Sequence, residues 1–168
     1  MNPYHYVVFS KTPGYIALSK ARDKFIKGIF VVRKDSGIFE LRDLNQSTLA
    51  FPAPAAFAAS ILTRSALIQN GVTFTPKYVS SHDSVYLNVA KGVFPAGGGI
   101  IRTFNNVAPN IREQLKVLWT SKGYTPHAIA SHPRVKNSTV EKIQKALIGM
   151  AHNPNGQKLL RAIKITGF

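Results

Sequence analysis

Residues 48–70 read TLAFPAPAAFAASILTRSALIQN, and Gly71 follows them. Thr48–Phe51 is a short apolar run, which predicts a buried strand. Beyond Pro54 the period changes. Phe57, Ala58, Ile61 and Leu62 recur at helical spacing, so a helix is expected over 54–70. Proline suits the first turn of a helix, and glycine suits the position just past its end. A strand that feeds directly into a helix is the building unit of an α/β fold.

The same unit recurs downstream. Thr75–Val79 (TPKYV) predicts a second strand, placed near a sheet edge by Pro76. Ser81 is the expected cap of a helix running from about Asp83 to Lys91 and ended by Gly92. Upstream, Phe25–Arg33 (FIKGIFVVR) reads as a strand, and Lys34–Gly37 as a turn. Gly99–Phe104, Val117–Thr120 and Ala128–Ala130 are strand-like. Ser138–Ala151 predicts a helix with a Ser138/Glu141 capping box and one face lined by Val140, Ile143, Leu147 and Met150. Asn153-Pro154 stops it, and a short helix is expected over 157–163. Alternating strands and helices predict an α/β fold with a largely parallel sheet.

Composition narrows the class. A chain of 168 residues makes one domain or two small lobes and buries about 70% of its unfolded surface. With 45% hydrophobic and 17% charged residues it is globular rather than disordered. There is no cysteine, which excludes a disulfide scaffold and thiolate chemistry. The run from Leu49 to Leu62 is interrupted by Pro52 and Pro54 and is too short to span a bilayer as a helix. The opening Met1–Tyr6 (MNPYHY) lacks the basic start and apolar core of a secretory signal. An exported protein of this sequence would carry its signal upstream, or would have lost it.

The net charge is +15, so an anionic partner is expected. The charge is uneven: residues 11–42 carry net +5, residues 43–111 only +2, and residues 112–168 carry +8. The candidate chemistry sits in the nearly neutral middle. At Phe51–Ala56 a strand enters a helix whose expected cap, Ala53, has no side-chain acceptor. The amides of Ala55, Ala56 and Phe57 are then orphan donors beside a positive helix end. Either an anion or water would satisfy them. At Ser80–Ser84 a second helix start points hydroxyl, amide and imidazole donors of Ser81 and His82 in one direction; a plain cap beside an exposed histidine is the alternative. Pro95–Gly99 allows a close backbone approach, or forms a sheet edge or tight turn. The loop 120–127 adds further donors, and the tyrosines of Asn2–Tyr6 either donate to an anion or simply pack.

Ser81-His82-Asp83 is no hydrolase triad, because neighbours in a chain do not form the required relay. The five histidines make no zinc pattern, and the seven acidic residues are scattered. No metal, no cofactor and no catalysis are expected. No nucleic-acid-binding motif accompanies the basic flanks, so a nucleic-acid partner is not expected either.

Taken together, FIKGIFVVRKDSG (25–37), Asp43-Leu44, TLAFPAPAAFAA (48–59), Gly71, YVSSHD (78–83), LWTSKGYTP (118–126) and Asn153–Gly156 with Leu159 and Leu160 resemble one family. It is the phosphate/phosphonate (PhnD-like) group of periplasmic substrate-binding proteins of ABC transporters. The resemblance implies an α/β, type II periplasmic-binding fold that closes on its ligand between two lobes. It implies one complete lobe, a mixed and largely parallel sheet flanked by helices, plus part of the other. Residues 1–24 would be the end of the first lobe and the crossover. Residues 25–120 would be the second lobe, and 121–168 the return crossover and carboxy-terminal helices. The amino-terminal part of the first lobe would be missing, and the chain would self-associate to cover the face so exposed.

By the same resemblance the ligand groups are Ala53, Ala55, Ala56, Ser81 and His82, with Tyr4, Tyr6 and His127. The chain departs from the family at telling places. Family members often carry hydroxyls where this chain has alanines. They often carry acidic residues near Pro95 and after the Thr-Pro turn, where this chain has His127. An acidic group suits an amine on a phosphonate, whereas a histidine suits a plain oxyanion. The resemblance therefore implies phosphate, phosphite or a simple phosphonate as the small oxyanion ligand. It implies a periplasmic protein that delivers this ligand to a membrane permease. A ligand-sensing domain of a signalling protein with the same fold is the alternative.

Overall fold

In chain order, α1 (Pro3–Lys11) and β1 (Ile16–Lys20) are followed by β2 (Gly28–Arg33), a 3-10 turn (Leu41–Leu44) and β3 (Ser47–Phe51). A π-helical segment (Phe57–Leu62) runs into α2 (Thr63–Gln69). Then come β4 (Phe74–Tyr78), α3 (His82–Ala90), β5 (Ala96–Ile100), α4 (Ile101–Asn105), α5 (Pro109–Arg112) and β6 (Leu115–Thr120). β7 (Ala128–Ser131), α6 (Asn137–Gly149), a 3-10 turn (Met150–His152) and α7 (Pro154–Ala162) complete the chain. The structure, a computed structural model, describes all residues from Met1 to Phe168. They form two compact units: Ile26–Gly123, and Met1–Phe25 with Tyr124–Phe168.

The Ile26–Gly123 unit is built on a five-stranded sheet in the order β4-β3-β5-β2-β6. β2 shows why the sheet has two cores. Its side chains alternate, Ile29 and Val31 joining one apolar cluster with Val85, Tyr86 and Val89 of α3. Phe30 and Val32 join the other, with Leu49, Phe51 and Leu67. A strand covered on both faces has no polar side, which is why FIKGIFVVR lacks a polar alternation. Each fully buried side chain of this size stabilises the unit by roughly 1.5–3 kcal/mol. The expected mixed α/β sheet is present. Parallel pairing is confined to β3 with β4 and β5, while β2 is antiparallel to both β5 and β6.

The expected strand at Gly99–Phe104 lies earlier, at Ala96–Ile100, and residues 101–105 are helical. The triple glycine is neither a sheet edge nor a turn, because β5 is the central strand. Its glycines answer a packing demand on both faces. A side chain at Gly97 would meet Val85 and Val89, and one at Gly99 would meet the Tyr86 ring. On the opposite face, one at Gly98 would run into the Ala59 carbonyl oxygen of the π-helical segment. The Tyr86 hydroxyl accepts the Ile100 N–H at 3.1 Å and lies 2.7 Å from Thr103 Oγ1, which fixes α3 to the β5–α4 corner.

The other unit holds a two-stranded antiparallel sheet of β1 and β7, with a bulge between Ala17 and Ser19. The chain's amino group donates to the Ala128 carbonyl at 2.6 Å, and Gln144 of α6 donates to the Leu18 carbonyl at 2.8 Å. α1 was not foreseen from the sequence. It starts where Asn2 caps it, accepting the His5 N–H at 2.8 Å, with Pro3 in the first turn. The Ser138/Glu141 capping box does not form: α6 begins one residue before Ser138, with Lys136 as its cap. Ser138 is then already helical and cannot cap. Asn153 caps α7 instead, accepting the Gly156 N–H at 2.7 Å. Neither α1 nor α6 has a fully buried residue.

Candidate functional site

β3 and β4 run parallel, with Phe51 in register with Tyr78. The Val79 N–H donates to the Phe51 carbonyl at 2.9 Å and carries the pairing one step further. The carboxyl ends of the two strands therefore lie side by side. The segments that follow, Pro52–Ala56 and Val79–Ser81, leave the sheet at the same end. In open α/β sheets this is where ligands bind.

Ser81 caps α3 as expected. Its Oγ accepts the Ser84 N–H at 3.0 Å and donates to Ser84 Oγ at 2.8 Å. The Ser81 proton is thus spent, and the hydroxyl proton that an incoming acceptor would take is Ser84's. Sequence reading did not single out Ser84, although a second serine three residues after a cap is the visible signal. His82 is half-buried in the first turn, and its Nδ1 is buried without a hydrogen-bond partner. Leaving such an atom unsatisfied costs about 1–3 kcal/mol. Burial pushes the His82 imidazole below the usual histidine range, and the neighbouring Asp83 carboxylate only partly opposes it. Burial thus favours the neutral form of the ring.

The first helix start differs from expectation. The helix begins at Phe57, with Ala56 and not Ala53 as its cap. Proline is as much at home in a turn as in a first helical turn, and here Pro54 takes the turn. The Ala56 N–H donates to the Ala53 carbonyl at 3.2 Å, so it is not an orphan. The amides of the first turn move to residues 57–59, and Ala58 and Ala59 are buried against Gly28 and Gly98. The expected apolar face of Phe57, Ala58, Ile61 and Leu62 shifts as well, and the fully buried residues are Ala58, Ala59 and Ser60. The π turn forms where the Ser60 and Ile61 N–H groups share the Ala56 carbonyl, at 2.8 and 3.1 Å. Such turns recur at functional sites. Ser60 is fully buried, with Oγ unpartnered. Arg64 donates to the Tyr78 hydroxyl at 2.9 Å, bringing a cation to the end of β4. It is the one Lys or Arg between Arg42 and Lys77, a sequence signal that passed unread.

The remaining candidates lie in the Met1–Phe25/Tyr124–Phe168 unit. The Tyr6 hydroxyl accepts the Ala17 N–H at 3.1 Å. Tyr6 lines a cavity of about 340 Å³ with Val7, Leu18, Lys20, Thr125 and Pro126. Lys20 Nζ stands 3.5 Å from Thr125 Oγ1 there. Tyr4 is exposed, its ring centroid 5.8 Å from that of His5. His127 is exposed too, and burial together with the positive chain terminus holds it below the usual histidine range. Neither Tyr4 nor His127 lines the cavity.

Both depressed histidines bear on stability. Each binds its proton less readily folded than unfolded, so their contribution is fully present above the unfolded value of about 6.5. It is lost as pH falls from there through the lower folded values. The thermal midpoint of the unliganded protein is expected to drop between neutral pH and pH values below that window. A His82→Asn variant is expected to show a flatter profile. Parallel profiles for the two proteins would count against the assignment.

No group of three or more His, Asp or Glu side chains is placed to hold a metal ion. No helix is long and apolar enough to cross a membrane. The model of one protein family, the periplasmic substrate-binding proteins of phosphonate ABC transporters, matches residues 1–168. The chain belongs to this family. Among solved structures it is similar to XAC2383 from Xanthomonas citri bound to ATP, with a TM-score of 0.80 and 18% identity over 92% of the chain. PhnD1 from Prochlorococcus marinus in complex with methylphosphonate gives 0.79 and 18% over 94%. A binding-protein component of an ABC phosphonate transporter from Pseudomonas aeruginosa gives 0.70 and 16% over 91%. At these identities the likeness is one of fold, a type II periplasmic-binding fold. This family member spans 64%, 66% and 55% of the lengths of those three proteins.

Proposed function

We propose that the chain is the solute-binding part of an ABC importer. It works in the periplasm and takes up a small phosphorus oxyanion for transfer to a membrane permease, without catalysis. The observation that carries this reading is the in-register carboxyl end of β3 and β4. It sets the capped start of α3 beside the 52–57 turn, in a chain of the phosphonate-binding family. Ser84 donates its hydroxyl proton and His82 an imidazole N–H, while the first-turn amides of α3 add the positive end of a helix dipole. The Ala53–Ala56 turn contributes shape and at most backbone donors. With so few hydroxyls at the Ala53–Ala56 turn, and with Pro95 and His127 where family members often carry acidic residues, the chain suits phosphate, phosphite or methylphosphonate better than an aminophosphonate.

Titration with phosphate, phosphite, methylphosphonate, aminoethylphosphonate and sulfate tests this. One phosphorus oxyanion is expected to raise the melting temperature selectively, by the equivalent of about 2.7 kcal/mol at a hundredfold excess over Kd. His82→Ala is expected to weaken that anion on the order of tenfold to a hundredfold, as for a lost hydrogen bond to a charged group. Binding is expected to tighten as pH falls, because an adjacent anion favours the imidazolium that burial disfavours. Unchanged affinity in His82→Ala would sink the site assignment, and an equal response to sulfate would sink the phosphorus preference.

A further inference from the structure

The oxyanion reading leaves most of the chain's charge unused. The Met1–Phe25/Tyr124–Phe168 unit carries eleven Lys and Arg against two Asp and Glu, Asp23 and Glu141, a net +9. Its last helix shows how that charge is arranged. α7 is anchored by buried Gly156 and Leu160 on one face. Next to that face, Leu159 and Ile163 stand one turn apart and are 60% and 55% exposed. Lys158, Arg161 and Lys164 are exposed around them, and Lys142 and Lys145 are exposed on α6. Two large apolar side chains held out to solvent at the border of the anchored face, with exposed cations next to them in the chain, form an amphipathic basic surface.

We propose that this α7 surface docks on the face of an anionic lipid bilayer, with Leu159 and Ile163 entering the headgroup boundary and Lys158, Arg161 and Lys164 pairing with lipid phosphates. Charge complementarity selects this occupant. A second copy of the chain would set +9 against +9. A protein partner needs a contiguous complementary patch of about 1,000 Å² or more, whereas here the apolar groups are few and the cations dispersed. A planar anionic surface asks only for dispersed cations and a few apolar anchors. Such docking would hold a binding protein within reach of a membrane-embedded partner, and it is independent of the oxyanion site.

The test is co-sedimentation of the full chain with phosphatidylcholine vesicles, with and without about one-third phosphatidylglycerol. Binding is expected only with the anionic lipid, and is expected to be lost between about 0.05 M and about 0.5 M salt. Replacing Lys158, Arg161 and Lys164 together by Glu is expected to weaken it at least a hundredfold, at roughly fivefold per cation removed. Leu159→Ser with Ile163→Ser changes no net charge and no buried residue. It is expected to weaken vesicle binding on the order of tenfold while leaving the thermal midpoint unchanged. Full vesicle binding by this double variant would overturn the proposal in favour of a general polyanion binder. Equally tight binding of a short DNA duplex would do the same. Absence of binding to anionic vesicles, or a stable dimer that conceals α7 in light scattering, would overturn it too.

Discussion

Gly98→Ala is expected to destabilise the Ile26–Gly123 unit strongly, by about 3 kcal/mol. Gly98 sits on the central strand of the sheet, fully buried, and an added Cβ would overlap the Ala59 carbonyl oxygen. A flexible side chain could rotate away, but a carbonyl in the π-helical segment cannot move without its helix. Thr63 Oγ1 is bonded to the same oxygen at 2.7 Å. Overpacking of this kind costs ~3 kcal/mol or more, a large part of the 5–15 kcal/mol that typically separates folded from unfolded. Gly37→Ala is the matched control. That residue lies in an open turn with nothing near its Cβ position, but at φ +69°. It is expected to cost only about 1 kcal/mol, the usual penalty for a left-handed residue other than glycine. Urea titrations followed by the single tryptophan, Trp119, whose ring lies 6.3 Å from Phe30, measure both. Equal shifts in the two midpoints would refute the packing account of the triple glycine.

Phe51→Ala is expected to cost about 3–5 kcal/mol and to abolish the oxyanion response. The ring is fully buried, with the rings of Phe30, Phe74 and Tyr78 at centroid distances of 6.2, 6.1 and 6.3 Å. It is also the last residue of β3, and its carbonyl holds the Val79 N–H. Removing the ring empties the junction that keeps the two strand ends in register. Phe51→Leu fills most of that space and is expected to retain both stability and binding in larger part. Urea unfolding and oxyanion titration on the same samples separate the two effects. If Phe51→Ala lost stability but bound the anion with unchanged affinity, the strand-end junction would not be what places the site.

The elements nearest the candidate site were the most legible ones. Thr48–Phe51 and Thr75–Val79 are apolar or β-branched runs, Pro76 marked the edge where β4 lies, and Ser81 with Gly92 framed α3 within a residue. What could not be read depended on neighbours remote in sequence. Three glycines have poor strand propensity, and only the approach of Tyr86, Val85 and Ala59 from the two faces makes them a central strand. Pro52 and Pro54 fit a turn and a helix start equally well by local rules. The π turn that settles the matter depends on how Ala58 and Ala59 pack over Gly28 and Gly98. Ser84, inside the candidate segment, and Arg64 carried only local signals, because their hydrogen bonds to Ser81 and Tyr78 form only in the fold. Ser138 and Glu141 had the right spacing for a cap, but Lys136 opened the helix first.

The antiparallel pairing of β2 with β6 has a wider meaning. Gly28 and Ser121 stand 93 residues apart, yet the Gly28 N–H donates to Ser121 Oγ at 3.0 Å and the Ser121 N–H to the Gly28 carbonyl at 2.9 Å. The two ends of the Ile26–Gly123 segment thus lie together. A segment of this kind behaves as a cassette: it could be spliced out with a short joint, or grafted into another host, without asking that host to span a gap. Selection could then reshape the end where β3 and β4 finish while leaving the flanking sequence free to change for other reasons.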